Sequence, residues 1–183
     1  MTAEQYGAVL ATWHDFYLAT AGATAALLGL LFVGVSINLA TITADERIDL
    51  RTRAAQAFSN LVFVLVISLL LLVPGSTPTE IAAGLIGTAA FGLIRVAQNL
   101  RSLRILRGQR HRAALLRSAV RRIGWTAVAD LILLVTAWRI WDTQGAANVL
   151  PNLVIVVLLL MLGAADLSWE MLTEVSAEAP PAP

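Results

Sequence analysis

Cysteine and lysine are both missing from this chain, and histidine occurs only at His14 and His111. Without cysteine there are no disulfides, no thiolate metal sites and no cysteine nucleophiles. Charge is scarce as well: 14% of the 183 residues are charged, whereas 58% are hydrophobic. A soluble domain normally carries about a quarter of its residues as charges to cover its exterior, so most of this surface must meet lipid. No basic residue precedes Arg47, so the basic stretch that opens a signal peptide is missing before the first apolar segment. The amino terminus is therefore expected to be retained.

What is present is organised into long apolar runs. A span needs about 20 apolar residues to cross about 30 Å of hydrocarbon, and five segments meet or approach this length, at 17–42, 54–74, 80–98, 123–142 and 149–169. The sequence therefore predicts an all-α transmembrane bundle over residues 1–175, with a disordered Ala, Glu and Pro tail at 176–183. Residues 2–16 are expected to form a helical lead-in, because Tyr6, Val9, Leu10, Trp13, Phe16 and Tyr17 recur at helical spacing. Capping-box pairs at Thr2 and Gln5, Thr43 and Glu46, and Thr77 and Glu80 mark helix starts. Pro78 falls at a first helical position, Pro74-Gly75 closes the second span, and 145–148 separates the fourth from the fifth.

All thirteen basic residues are Arg, and their placement sets the expected orientation. Three fall in the 43–53 loop and eight between Arg101 and Arg122, whereas the 75–79 and 143–148 turns have none. Arg-rich short loops stay cytoplasmic, which places the N-terminus out and the C-terminus in. Trp13, Trp138 and Trp141 then lie at the outer interface, Trp125 and Trp169 at the inner one. The expected location is the cell inner (plasma) membrane. The eight clustered arginines, Arg101, Arg104, Arg107, Arg110, Arg112, Arg117, Arg121 and Arg122, read as a topology signal and as partners for anionic lipid headgroups, with protein docking as the alternative and no nucleic acid expected.

No enzymatic signature occurs: there is no His-Glu-x-x-His, Gly-x-Ser-x-Gly, P-loop or dinucleotide fingerprint. The two histidines are expected on opposite sides of the membrane and so cannot share a metal. No catalytic residue, metal site or cofactor is expected. His14-Asp15 reads as a polar interfacial step beside Trp13 that has the groups to bind a cation or proton. Ionisable residues at membrane depth are more informative, since a charge near the bilayer centre costs at least about 2.5 to 3.5 kcal/mol and usually faces a partner or cavity. Asp130 lies about eight residues into the fourth span, roughly 12 Å at helical rise. Its readings are ion or proton handling, or an acid satisfied by an interhelical bond. Arg95 and Asp166 lie at similar estimated depths and form a candidate ion pair. Arg139 can snorkel outward between Trp138 and Trp141.

The first span carries two stripes. Gly22, Ala25, Ala26, Gly29, Val33, Ser36 and Ala40 form a small-residue stripe that permits close helix packing. Opposite it run Thr20, Thr24, Leu27, Leu31, Gly34 and Asn38. That stripe fits a pore lining with a hydrophobic constriction, and it fits equally a central helix wrapped by neighbours, which is the favoured arrangement. On the second span Gln56, Ser59 and Asn60, and on the third Gly84, Gly87, Thr88 and Gly92, suit interhelical contacts. The segment from Ala25 to Ile37, AALLGLLFVGVSI, after the aromatic step from Trp13 to Tyr17, resembles the first span of small bacterial multi-span membrane proteins. The resemblance covers one span and implies no activity or site residues.

Two functions are compatible with this pattern. One is a homo-oligomeric ion channel or permeation protein lined by the first span, with Thr20, Thr24, Leu27, Leu31, Asn38 and Asp130 along the path. The other is a non-catalytic membrane partner or regulatory subunit of a larger complex, docking through its small-residue faces and Arg-rich loop.

Overall fold

The computed structural model describes residues 3–39, 48–105, 112–142 and 149–177. All five elements are helices: α1 (Ala3–Ile37), α2 (Ile48–Leu72), α3 (Pro78–Ile105), α4 (Arg112–Asp142) and α5 (Leu150–Ala177). Each contains a stretch long and apolar enough to cross a bilayer, Gln5–Ile37, Leu50–Leu72, Pro78–Gln98, Gly124–Asp142 and Leu150–Thr173. The chain is thus an all-helical protein built for a membrane. α3 runs on past its apolar stretch to Ile105, and α4 starts at Arg112, twelve residues ahead of its own. α5 remains helical through Ala177, slightly beyond the expected start of the tail.

Local chemistry sets the one turn whose atoms are fully described. The Ser76 hydroxyl donates to the Val73 carbonyl at 2.9 Å. Gly75 takes φ +74°, a left-handed conformation that glycine adopts without a Cβ penalty. The Thr77 amide then donates to Glu80 Oε2 at 2.8 Å, while the Glu80 amide donates back to Thr77 Oγ1 at 3.3 Å. This reciprocal pair satisfies two orphan donors of α3, with Pro78 in the first turn. Thr2, Thr43 and Glu46, the capping residues expected elsewhere, lie outside the described residues.

The helices pack in the order α1, α2, α5, α4, α3, with a lighter α3–α2 contact closing a four-helix ring. Its interior is apolar and filled: Val64, Ile67, Leu85, Leu133, Leu153 and Leu160 are all 1% exposed or less. The register follows from individual contacts. Gly84 lies against Leu70, Phe63 meets Phe91 with ring centres 6.0 Å apart, and Arg53 pairs with Glu170 at 3.6 Å.

The expected helical lead-in and the first span join as one continuous helix, whose 35 residues extend about 52 Å, well beyond the hydrocarbon thickness. α1 overturns one expectation, because it is not the central helix: 17% of its apolar window is buried against 50% for α2. It lies on the outside of the ring, chiefly along α2. Its buried or half-buried seam, Tyr6, Leu10, Trp13, Tyr17, Thr20, Thr24, Leu28, Leu31 and Val35, advances in steps of three or four residues. That spacing lets one helix follow another with a small left-handed crossing.

Candidate functional site

Asp130 is the most buried carboxyl among the described residues, 1% exposed. α4 turns it inward because Ala129, Leu133, Thr136, Ala137 and Ile140 share its face. The residue opposite it on α3 is Gly92, where a Cβ would fall 2.5 Å from both carboxyl oxygens. Only a glycine leaves room for the carboxyl to rest on the α3 backbone. Asp130 Oδ1 has no hydrogen-bond partner among the described residues, at a depth where an unpaired charge is costly.

Two hydroxyls share this condition. Helical Ser and Thr in a membrane usually satisfy themselves by donating to the carbonyl one turn back. Thr20, Thr24, Ser36, Ser59, Thr88 and Ser168 all do so. Ser68 on α2 and Thr136 on α4 are 0% exposed and do not: their oxygens have no partner among the described residues. The antiparallel register carried by the Gly84–Leu70 and Gly92–Asp130 contacts puts Ser68 and Thr136 at one level, about 9 Å from Asp130 along the bundle axis. Tyr6 and Tyr17 belong to the same apolar cluster as Leu71, Ile140 and Leu150 at that end of the body, and both their hydroxyls are buried with no partner among the described residues.

Toward the Arg-rich end, the Arg95 guanidinium donates to the Ser59 hydroxyl of α2, about 4.5 Å along the axis from the Asp130 level. One further step along is the Arg53–Glu170 pair, with side chains 12% and 27% exposed. Polar groups thus recur along the length of the four-helix body, separated by apolar layers such as that of Ala89 and Leu133.

The other candidate residues fall elsewhere. Thr20 and Thr24 are 8% and 0% exposed, face the body rather than a pore, and bond the Phe16 and Thr20 carbonyls at 2.8 and 2.7 Å. Leu31 is buried in the α1–α2 contact, and Leu27, one turn before it on the same face, is 43% exposed, both bordering an open groove between α1, α2 and α5. Asn38 Nδ2 donates to the Gly34 carbonyl at 3.0 Å, closing the last turn of α1. Within the single chain, Thr20, Thr24 and Asn38 each bond the backbone of α1, and Asp130 lies inside the ring of the other four helices. The Gly22, Ala26 and Gly29 stripe is not an internal contact, because all three are exposed and a Cβ at either glycine meets nothing within 4 Å. Among the described glycines, those that meet another helix closely are Gly84, Gly92 and Gly163, the last facing Asn60.

Arg95 bonds Ser59 rather than forming the expected pair with Asp166, because α3 neighbours α4 and α2 in the ring, not α5. His14 and Asp15 approach to 3.3 Å at the surface, with side chains 56% and 102% exposed. No group of three metal-ligating side chains occurs among the described residues. Arg107 and Arg110 lie outside the described residues, as do the side chains of Arg101, Arg104, Arg112, Arg117, Arg121 and Arg122. Sequence reasoning missed Tyr6, Tyr17, Ser68 and Thr136 as part of the polar series. The available signal was slight: Ser68 is a single hydroxyl inside an apolar run, and the two tyrosines share the heptad seam of α1.

Compared with family models, curated proteins and solved structures, the chain matches none of them. The reading of the site therefore rests on its geometry.

Proposed function

We propose that this multi-pass protein transfers protons or small cations across the plasma membrane through its four-helix body, with Asp130 as the group the permeant species visits. The observation that carries this reading is the carboxyl of Asp130, 1% exposed, resting on Gly92 and with Oδ1 unpartnered among the described residues. A purely structural acid at such depth is normally held by a cation or a donor. The unpartnered hydroxyls of Ser68 and Thr136 extend the same unmet demand toward one face, and Arg95 with Ser59 continues the polar series toward the other. The filled apolar layers between them act as the barrier, since brief hydration of such a constriction gates conduction. Passage runs through the body and past Asp130, not along α1.

The test is flux in reconstituted vesicles. Wild type should dissipate an imposed proton or cation gradient, and Asp130→Asn should lower the rate by at least about tenfold while oligomeric size and helix content stay the same. Wild-type protein that is well folded in the vesicles and moves no ion at any pH or voltage would reject the reading.

A second reading has its own observation in favour. The Gly22, Ala26 and Gly29 face of α1 is uncovered, and small-residue faces allow close helix approach in lipid. In that reading the chain conducts nothing and is a non-catalytic subunit, of a larger complex or of a homo-oligomer assembled through α1. Equal gradients in empty and loaded vesicles, with a stable assembly in mild detergent, would favour it.

A further inference from the structure

An open groove of about 410 Å³ runs between the C-terminal half of α1 and the start of α2, a volume within the range of ligand-sized clefts. One wall is apolar and faces the membrane: Phe32 is 66% exposed, Leu39 53% and Phe58 45%. At the Arg-rich end two guanidinium groups enter the lining, Arg51 from the first turn of α2 and Arg95 from α3, and no acidic side chain lines the groove among the described residues. Arg51 makes no hydrogen bond or ion pair to any described residue. Arg95 makes one hydrogen bond, to Ser59, which leaves most of its five donors available.

Depth and chemistry agree on an occupant. Arg51 is one residue inside the apolar stretch of α2 and reaches the headgroup boundary on its flexible stem, while Arg95, level with Ser59, lies about 12 Å deeper along the axis and faces the same groove from below. The apolar wall continues from there toward the bilayer centre. We propose that this groove binds an anionic phospholipid, its phosphate held between Arg51 and Arg95 and one acyl chain laid along Phe32, Val35 and Phe58. Arginine suits this role because its planar fork binds phosphate oxygens bidentately. A zwitterionic lipid would bring an extra cation into the doubly basic end and bind less well. The proposed site does not use the eight arginines clustered between Arg101 and Arg122.

Native mass spectrometry of the full-length protein, released from detergent with equal amounts of phosphatidylglycerol and phosphatidylcholine, tests the site. Wild type should retain phosphatidylglycerol preferentially. Arg51→Gln should weaken that preference roughly fivefold, the factor corresponding to about 1 kcal/mol for one basic residue at an anionic surface. Arg51 is exposed, so this variant is expected to fold normally. Phe58→Ser should lower retention of both lipids while keeping their ratio. Equal retention of the two lipids by wild type would overturn the proposal, and so would a preference unchanged in Arg51→Gln, which would assign it to the arginines of the connection. Displacement of the lipid by millimolar glycerol 3-phosphate would also overturn it, because the site would then read phosphate without a chain.

Discussion

At the scale of single residues, Gly92 is the described glycine at which an added Cβ would come nearest to another atom, the carboxyl of Asp130. A methyl group at 92 would fall 2.5 Å from both carboxyl oxygens, so Gly92→Ala must push Asp130 or the α3 backbone aside. Overpacking of this kind costs about 1 to 3 kcal/mol. Gly87, five residues earlier on the same helix, meets nothing within 4 Å, and alanine there should be neutral or gain up to about 1 kcal/mol from helix propensity. Unfolding in mixed micelles should separate the two variants; equal stability would mean that the carboxyl does not rest on Gly92. Asp130 itself was legible in the sequence, because an acid inside an apolar run stands out. Its surroundings were not. Depth along the chain placed Arg95 near Asp166, but depth says nothing about which helices are neighbours, and the ring order directs Arg95 to Ser59 instead.

Among the elements, α1 separates what the sequence reveals from what it hides. Its helical character and length follow from hydropathy and from the recurring aromatic spacing. Which face is covered does not, because lipid is as apolar as a neighbouring helix, so a small-residue stripe looks the same whether it is packed or bare. The hydroxyl stripe was equally ambiguous: Thr20 and Thr24 bond their own backbone and so can be buried against a neighbour without needing water. The structure resolves the two faces, and substitutions on them should behave differently. Tyr17 is 1% exposed within the main apolar cluster, and Tyr17→Ala should destabilise the chain by about 3 to 5 kcal/mol, as large aromatic truncations do. Gly29→Leu should leave the stability of the single chain within about 0.5 kcal/mol and should act, if at all, on assembly size. Chemical unfolding together with size-exclusion chromatography checks both, and a loss of single-chain stability in Gly29→Leu comparable to that in Tyr17→Ala would place α1 the wrong way round.

For the whole molecule, the proposed function requires that a carboxyl inside a filled four-helix body exchange with the aqueous phases through a series of polar groups broken by apolar layers. The filled interior predicts slow, gated passage rather than an open pore, and the unpartnered oxygens of Ser68, Thr136 and Asp130 mark where passing water or protons would be stabilised. The most direct test is infrared spectroscopy of the protein in vesicles, with the Asp130 carboxyl band identified by its loss in Asp130→Asn. Communication with solvent requires that this band respond to bulk pH and shift on transfer to D2O, while the bulk of the buried amides of the body stay unexchanged. A carboxyl band indifferent to both pH and D2O, in protein of native helix content, would mean that Asp130 is sealed from both aqueous phases and that nothing passes it.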